Sequence, residues 1–316
     1  MPELPGALRL HSEYRDYVWG GRERLRPGQL TAEAWVVYEN DRIDGGPLAG
    51  RTLGEVAAEQ GAALLGRRAV TRTGSRFPLL IKLLDCEQWL SLQVHPNDEQ
   101  AVRLAGKGHF GKTEAWHILA ADPGATLIAG IRPGTTQAAL AAAIRDGRVI
   151  DLAEPLAVNP GDTVVMRAGT LHALGPGLFV YEVQQTSDLT YRVYDWGRPQ
   201  TAARGLHLDQ SIAVTDPAAL ASATPAPGLG DGECGVLCHT EYFTLTMLHS
   251  QGRACDLDTA GETFHALTVI DGTAQLIIGG MEVGALGEYA SVVIPAATGA
   301  YRLEPAPAFR ALKASV

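Results

Sequence analysis

Leu90-Ser91-Leu92-Gln93-Val94-His95-Pro96 is the stretch from which the rest of the chain is read. Leu90, Leu92 and Val94 alternate with Ser91, Gln93 and His95, which is the period of a strand, so one face is apolar and the other presents a hydroxyl, an amide and an imidazole. A face of that make-up suits a ligand. A second strand-like run, Thr113 to Leu119, follows Lys112 and carries Glu114 near its start. Upstream, Phe77 to Leu84 is apolar except for Lys82 and reads as a buried strand, joined to the opening stretch as a hairpin through Asp85-Cys86-Glu87-Gln88.

Working outward, Pro96 ends the strand, and Asn97 with Gln100 forms a capping-box pattern for a short helix ending near Gly106. Further helices are expected over Thr52 to Arg68, with Gly61 as a break, over Thr135 to Arg148 with Thr135 or Thr136 as cap, and over Leu206 to Val214. Strands are expected at Thr126 to Ile131, at Thr163 to Arg167 after the turn Asn159-Pro160-Gly161-Asp162, and at Leu178 to Gln184. In that last strand Glu182 and Gln184 share a face with Val180. From Asp216 to Gly232 the composition shifts to Pro, Ala, Gly and Ser, as in a linker. Glu241 to Val316 reads as about seven short strands with turns at Ile270-Asp271-Gly272, Ile278-Gly279-Gly280 and Ile294-Pro295-Ala296, an all-β sandwich or barrel. The expected domains are therefore 1–225, with helical elements attached to its β-structure, and 233–316.

At 316 residues the chain exceeds the size at which one core usually stops growing, in keeping with two domains. Twenty-six basic against 35 acidic residues leave a net charge of −9, which argues against a nucleic-acid footprint but not against a small anion held by a few local cations. The four cysteines, Cys86, Cys234, Cys238 and Cys255, are too few and too irregular for a disulfide scaffold and are expected to be reduced thiols. Met1 to Leu10 lacks the pattern of a secretory leader and no apolar run approaches a membrane span, so the expected location is cytoplasmic, with no membrane partner.

Gln93, His95, Glu114 and His172, the last directly after a turn, are the ligand types on inward faces of the first domain. Two imidazoles, a carboxylate and an amide oxygen make an N/O site suited to zinc, with iron, manganese or cobalt also admitted because no thiolate selects against them. A rival set, Cys234, Cys238, His239 and Cys255, has finger-like spacing in its first pair, but Cys255 lacks a close partner. His109, His117 and His207 are expected to be hydrogen-bonded or exposed.

Phe77-Pro78-Leu79-Leu80-Ile81-Lys82, Leu90 through Asp98, Gly111-Lys112-Thr113-Glu114-Ala115-Trp116, Ala168-Gly169-Thr170-Leu171-His172-Ala173 and Tyr181 through Asp195 occur in an order that resembles the type I mannose-6-phosphate isomerases. Tyr17-Val18-Trp19-Gly20-Gly21 resembles the family's opening, and the length is similar to its short bacterial members. The resemblance implies a mainly β fold of two cupin-like β-barrel (jelly-roll) domains. It also implies zinc on Gln93, His95, Glu114 and His172, and interconversion of mannose 6-phosphate and fructose 6-phosphate. Leu171, where many members have Pro, changes a turn and no ligand. Proton transfer between C1 and C2 through an enediolate needs acid/base groups and positive charge beside the oxyanion. Arg192 is the expected cation, Glu182 and Lys112 the acid/base candidates, and Ser91 and Lys82, helped by Arg192 or Arg198, the phosphate contacts. At the rise of a strand Ser91 and His95 lie about 13 Å apart, so the strand could span a sugar phosphate. The rival functions are an isomerase of a free sugar such as mannose, a metal-binding cupin oxidoreductase and a non-catalytic sugar-binding regulator.

Overall fold

A computed structural model describes residues 4–201 and 204–316. Residues 1–3 and 202–203, which fall in the expected first domain, lie outside the described residues. The protein is mainly β, built of several antiparallel sheets with five α-helices among the described residues. No helix among the described residues is long and apolar enough to cross a membrane.

The chain divides into two compact units, and the division departs from a simple cut at 225/233. One unit is Tyr14–Ala34 with Leu83–Pro225; the other joins the N-terminal segment up to Glu13 and Trp35–Lys82 to Ala226–Val316. The expected linker does contain the boundary at Pro225/Ala226. However, the helices Leu53–Gln60 and Ala62–Thr73 belong with the C-terminal β-structure and not with the first domain. A break at Gly61 separates them, as its sequence position suggested, and a capping box at Thr52 and Glu55 starts the first. The physical tie is backbone to backbone: Arg68 N–H donates to the Glu262 carbonyl at 3.0 Å and Phe264 N–H to the Leu65 carbonyl at 3.2 Å. Gly66, at φ +83°, permits this approach, since a Cβ there would lie 2.3 Å from the Glu262 oxygen. Phe77 and Phe264 stack nearby with centroids 4.6 Å apart.

In the unit Tyr14–Ala34 with Leu83–Pro225, a five-stranded sheet has the order Tyr191–Tyr194, Leu92–Val94, His172–Leu174, Thr126–Ile131, Ala153–Ala157. A larger sheet runs Ala223–Thr224, Thr163–Met166, Glu114–Ala121, Leu178–Gln185, then Leu79–Cys86, Glu33–Val37 and Glu13–Arg15. The expected hairpin from Phe77–Leu84 into the opening stretch is therefore not formed. Glu87 to Ser91 cross from one sheet to the other, because Leu90 N–H bonds the Leu174 carbonyl of the smaller sheet at 2.9 Å while Cys86 bridges to Gly20.

One core cluster draws on both sheets, taking Trp116, Ile118, Val164, Met166 and Val180 from the larger and Leu127, Ala129 and Leu174 from the smaller. The opposite face of the small sheet, with Leu92, Val94, Ile128, Ala173, Tyr191 and Val193, is covered by Leu140 and Ile144 of the helix Gln137–Arg145 and by Val214 of the helix Leu208–Val214. Gln93 and His172 alternate with these residues and so face the interior between the sheets. The polar face of the opening stretch is thus an inside face. Its alternation holds from Leu92, but Leu90 packs in the inter-sheet cluster, which breaks the expected apolar face at its first member.

The C-terminal β-structure is an eight-stranded antiparallel sheet in which His265–Ile278 and Ala300–Ser315 pair along most of their lengths. Strands of 14 and 16 residues replace the expected short ones. Ile270-Asp271-Gly272 is not a turn. Register shifts at Val269/Asp271 and Gly272/Ala274 bend the strand there, and Gly272 at φ +73° admits the Ala308 carbonyl, which a Cβ would meet at 2.2 Å. Gly279 and Gly280, both at positive φ, do form the expected tight hairpin.

Candidate metal centre and active site

Gln93 is the register partner of His172 on one side and of Arg192 on the other, so the three side chains stand in a row on the inner face of the small sheet. The facing sheet supplies a second row. Glu114 pairs with Gln184 and Trp116 with Glu182, so these four point into the same interior. His95 is set just past its strand, where the backbone is fixed by Gly169 N–H donating to the His95 carbonyl at 2.9 Å and Lys112 N–H to the Pro96 carbonyl at 3.0 Å. Pro96 then hands the chain to the helix Asp98–Ala105, whose Asn97/Gln100 capping box is formed as its sequence suggests.

His95, Glu114 and His172 are all buried, and their candidate ligand atoms lie within 4.8 Å of one another. Nε2 of His95 and Nε2 of His172 are 3.2 Å apart. His172 Nε2 is 3.2 Å from Glu114 Oε1, and His95 Nε2 is 3.6 Å from Glu114 Oε2. The ring tautomers follow from the other nitrogens: His95 Nδ1–H donates to the Leu189 carbonyl and His172 Nδ1–H to the Thr170 carbonyl, each at 2.8 Å. Both Nε2 atoms therefore turn lone pairs toward each other. Glu114 Oε1, buried without a hydrogen-bond partner, faces the same point. Lys112 offsets part of the cost of burying these acceptors, at Glu114 Oε2 and His95 Nε2, but His172 Nε2 and Glu114 Oε1 converge without it, and two imidazoles with a carboxylate are a donor set that fits a divalent metal.

Electrostatics prepare the ligands. Burial, reinforced by the Lys112 ammonium, holds the His95 imidazole well below its usual range, so it is neutral. For Glu114, burial acts to raise the carboxyl, but Lys112 and the two imidazoles outweigh it and hold the group well below the usual carboxylate range. Deprotonated ligands are what metal binding requires. Gln93 lies beside this set on the small sheet, its Nε2 3.4 Å from His172 Nε2 and its Oε1 3.5 Å from Ser91 Oγ. A half-turn of the amide exchanges O and N, placing the oxygen among the ligand atoms and an N–H toward the Ser91 hydroxyl.

The other expected site residues are placed as follows. Lys112 Nζ bonds Glu114 Oε2 and lies 3.1 Å from His95 Nε2, so its charge is against the ligand cluster. Glu182 Oε2 accepts from Trp116 Nε1–H at 2.8 Å, and the Trp116 ring meets His172 edge-on at 5.3 Å. Arg192 donates from Nη1 to the Gly205 carbonyl at 3.1 Å, while its Nε is buried without a partner. Burial, then the neighbouring Arg204, lowers the pKa of this guanidinium. Arg198 is engaged by the Asp195 carboxylate at 3.0 Å, the Trp89 carbonyl at 2.8 Å and Gln88 at 3.1 Å. Lys82 belongs to the other unit, with its ammonium 5.1 Å from the centroid of the Trp35 ring.

Sequence reasoning missed Arg204, which grips Asp195 with two hydrogen bonds of 2.7 Å; His207 is hydrogen-bonded as expected, its Nδ1 accepting the Arg192 backbone N–H at 3.2 Å. It also missed the Thr170 and Leu189 carbonyls, which carry no side-chain signal. His117 bonds Thr163 at 3.0 Å and His109 is exposed, as expected of histidines outside the site. The rival cysteine set does not gather as a metal cluster. Among the described residues only His95, Glu114 and His172 do so.

The chain is 34% identical over 302 residues to a mannose-6-phosphate isomerase of Streptococcus mutans, an alignment spanning 91% of this chain and 92% of that one. It belongs to the mannose-6-phosphate isomerase family. The model of the type I phosphomannose isomerase catalytic domain matches residues 7–112. A probable mannose-6-phosphate isomerase of Bacillus subtilis is 34% identical over 290 residues, covering 87% of this chain and 89% of the relative. The crystal structure of the mannose 6-phosphate isomerase of Bacillus subtilis superposes with a TM-score of 0.85 at 26% identity, over 99% of this chain and 100% of that one. In this family member the His95, Glu114 and His172 cluster lies inside the β-sandwich that the matched structure shares.

Proposed function

We propose that the protein is a zinc-dependent aldose–ketose isomerase on cupin-like β-domains that interconverts mannose 6-phosphate and fructose 6-phosphate. The observation that carries the metal assignment is the convergence of two imidazole lone pairs and an orphaned carboxylate oxygen in a buried pocket. Gln93, His95, Glu114 and His172 would hold the cation. Bound there, it supplies Lewis-acid charge to the sugar oxygens. Activity and substrate follow from kinship with relatives named for this reaction over nearly their whole length.

The chain's own groups do the remaining work. Arg192 stands directly across from Gln93 on the neighbouring strand, and its desolvated guanidinium has an Nε without a protein partner, which supports a role in stabilising the negative oxygen of an enediolate. Glu182, held in orientation by Trp116, and Lys112 move the proton between C1 and C2. Ser91, just before the strand that carries Gln93 and 3.5 Å from its amide, offers its hydroxyl to the phosphate end of the substrate.

The deciding experiment is a coupled assay on mannose 6-phosphate before and after chelation and after adding back zinc, with free mannose in parallel. Loss on chelation and recovery with zinc is the expected result. Activity that survives complete metal removal overturns the metal assignment, and turnover of free mannose alone moves the substrate to the unphosphorylated sugar. No isomerisation of either sugar by metal-loaded protein would leave the oxidoreductase or the silent binder.

A further inference from the structure

His95, Glu114 and His172 reach their cluster from three separate segments of the chain, and one side chain outside the cluster ties two of those segments together. Gln185 is buried at the end of the strand Leu178–Gln185. It takes both backbone groups of Thr113: its Oε1 accepts the Thr113 N–H at 2.8 Å, and its own N–H donates to the Thr113 carbonyl at 3.2 Å. Thr113 stands between Lys112 and Glu114. The other end of the same amide faces the segment of His95. Gln185 Nε2–H donates to Asp98 Oδ1 at 3.1 Å, and that oxygen also accepts the Gly111 N–H at 2.7 Å. Asp98 lies three residues past His95. The third segment joins more weakly through Thr113, whose hydroxyl accepts the Ala168 N–H at 3.4 Å on the turn before His172.

We propose that Gln185 is a positioning residue for the metal centre, its side-chain amide holding the segments of His95 and Glu114 at the spacing their ligand atoms need. This role rests on the reading of His95, Glu114 and His172 as metal ligands. None of the Gln185 hydrogen bonds goes to a ligand atom, so its effect is carried through the backbone of Thr113 and the carboxylate of Asp98.

The chemistry of the bridge suits an amide. A buried N–H such as that of Thr113 has to find an acceptor, and a glutamine accepts there with its oxygen while its nitrogen donates to the Asp98 carboxylate. Without that side chain the two segments would keep only the bonds from Lys112 N–H to the Pro96 carbonyl and from Gly111 N–H to Asp98. The turn after Gln185 works in the same direction. The Ser187 hydroxyl donates to the Phe110 carbonyl at 2.8 Å and accepts the Leu189 N–H at 3.4 Å, and the Leu189 carbonyl takes the His95 Nδ1–H. The turn thus holds the tautomer of His95 while Gln185 holds the spacing. Ligands already at that spacing bind a cation without the cost of ordering them, and partners that orient ligands are worth about 10- to 100-fold in metal affinity.

The test is to titrate zinc-loaded, full-length protein with a chromophoric chelator and read the zinc dissociation constant. Gln185→Met keeps the length of the side chain and removes its hydrogen bonds; it should weaken zinc binding by about 10- to 100-fold while retaining the wild-type circular dichroism spectrum. Thr163→Val, which removes a buried hydrogen bond to His117 in the same sheet, is the control and should bind zinc as the wild type does. Asp98→Asn keeps an acceptor for Gln185 and Gly111 and should also match the wild type, whereas Asp98→Ala should weaken zinc as Gln185→Met does. The Asp98 pair decides the matter if Gln185→Met does not fold. Wild-type affinity in folded Gln185→Met, or equal affinities in Asp98→Ala and Asp98→Asn, overturns the role of Gln185. Equal weakening in Thr163→Val overturns it as well, since any lost buried hydrogen bond would then suffice. Wild-type protein that binds no zinc overturns instead the metal reading beneath it.

Discussion

Arg192 and Gln93 are direct cross-strand partners, so a guanidinium and the amide nearest the metal cluster point the same way from adjacent strands. Arg192 reaches no ligand atom of the cluster through a hydrogen bond. It is tied instead to Gly205 and, through its backbone, to His207. Removing its side chain should therefore leave metal binding intact. Arg192→Ala is expected to keep its metal content, measured by plasma mass spectrometry, and to lose about 10²- to 10³-fold in kcat, the scale of one lost oxyanion donor. A fully active variant would mean that another group carries the charge.

His95 and His172 differ from Arg192 in that their lone pairs belong to the candidate metal site. His95→Ala and His172→Ala should each purify without bound metal and without measurable isomerase activity, while circular dichroism shows the β-structure retained. Retention of one equivalent of zinc by either variant would place the metal elsewhere.

Glu182 accepts the Trp116 indole N–H, and glutamine preserves an acceptor oxygen of the same reach. Glu182→Gln should hold its thermal midpoint within a few degrees yet drop about 10²-fold in kcat, as expected for a lost general acid/base group. Unchanged turnover would reduce Glu182 to a strut for Trp116.

His265, buried against the Tyr301 hydroxyl at 2.8 Å, has its pKa lowered by burial to about 3, from an ordinary 6.5. Between those values the unfolded chain binds the proton and the native one does not. Its contribution is thus fully present above the unfolded pKa and is lost progressively as pH falls toward the folded one. Urea titrations of the wild type and His265→Gln at about pH 7 and about pH 5 should show the wild type losing about 2 kcal/mol more than the variant over that interval. Parallel losses in the two proteins would assign the acid sensitivity to other groups.

Gly66 tests the attachment of the helices Leu53–Gln60 and Ala62–Thr73 to the C-terminal β-structure. Alanine would combine strain at positive φ with a collision against the Glu262 carbonyl. Gly66→Ala should lose about 2 to 4 kcal/mol of stability, read as a lower thermal midpoint, with the metal ligands untouched. A neutral substitution would show that this junction shifts freely.

Much of the site was legible before any coordinates. His95, Glu114 and His172 follow strand or turn cues, and the fold gathers these three as a candidate N/O metal site with Gln93 beside them. Helix ends were legible where capping is local, as at Asn97 and Gln100. Long-range features were not. The Asp195 clamp joins Arg198 and Arg204, whose partnership no periodicity reveals, and the carbonyls of Thr170 and Leu189 look like any others in a sequence.

For the opening stretch, sequence alone determined the alternation of Leu92 and Val94 with Gln93 and His95, because strand geometry sends successive side chains to opposite faces whatever lies around them. Which face would be the interior was decided only by tertiary packing. The helices Gln137–Arg145 and Leu208–Val214 cover the apolar side, so the polar side turns inward to meet Glu114 across the sandwich. The same packing sent Glu87 to Ser91 across from one sheet to the other and carried the first two helices to the C-terminal half. Those choices depend on which distant surfaces bury each other, a property of the whole chain that no local window contains.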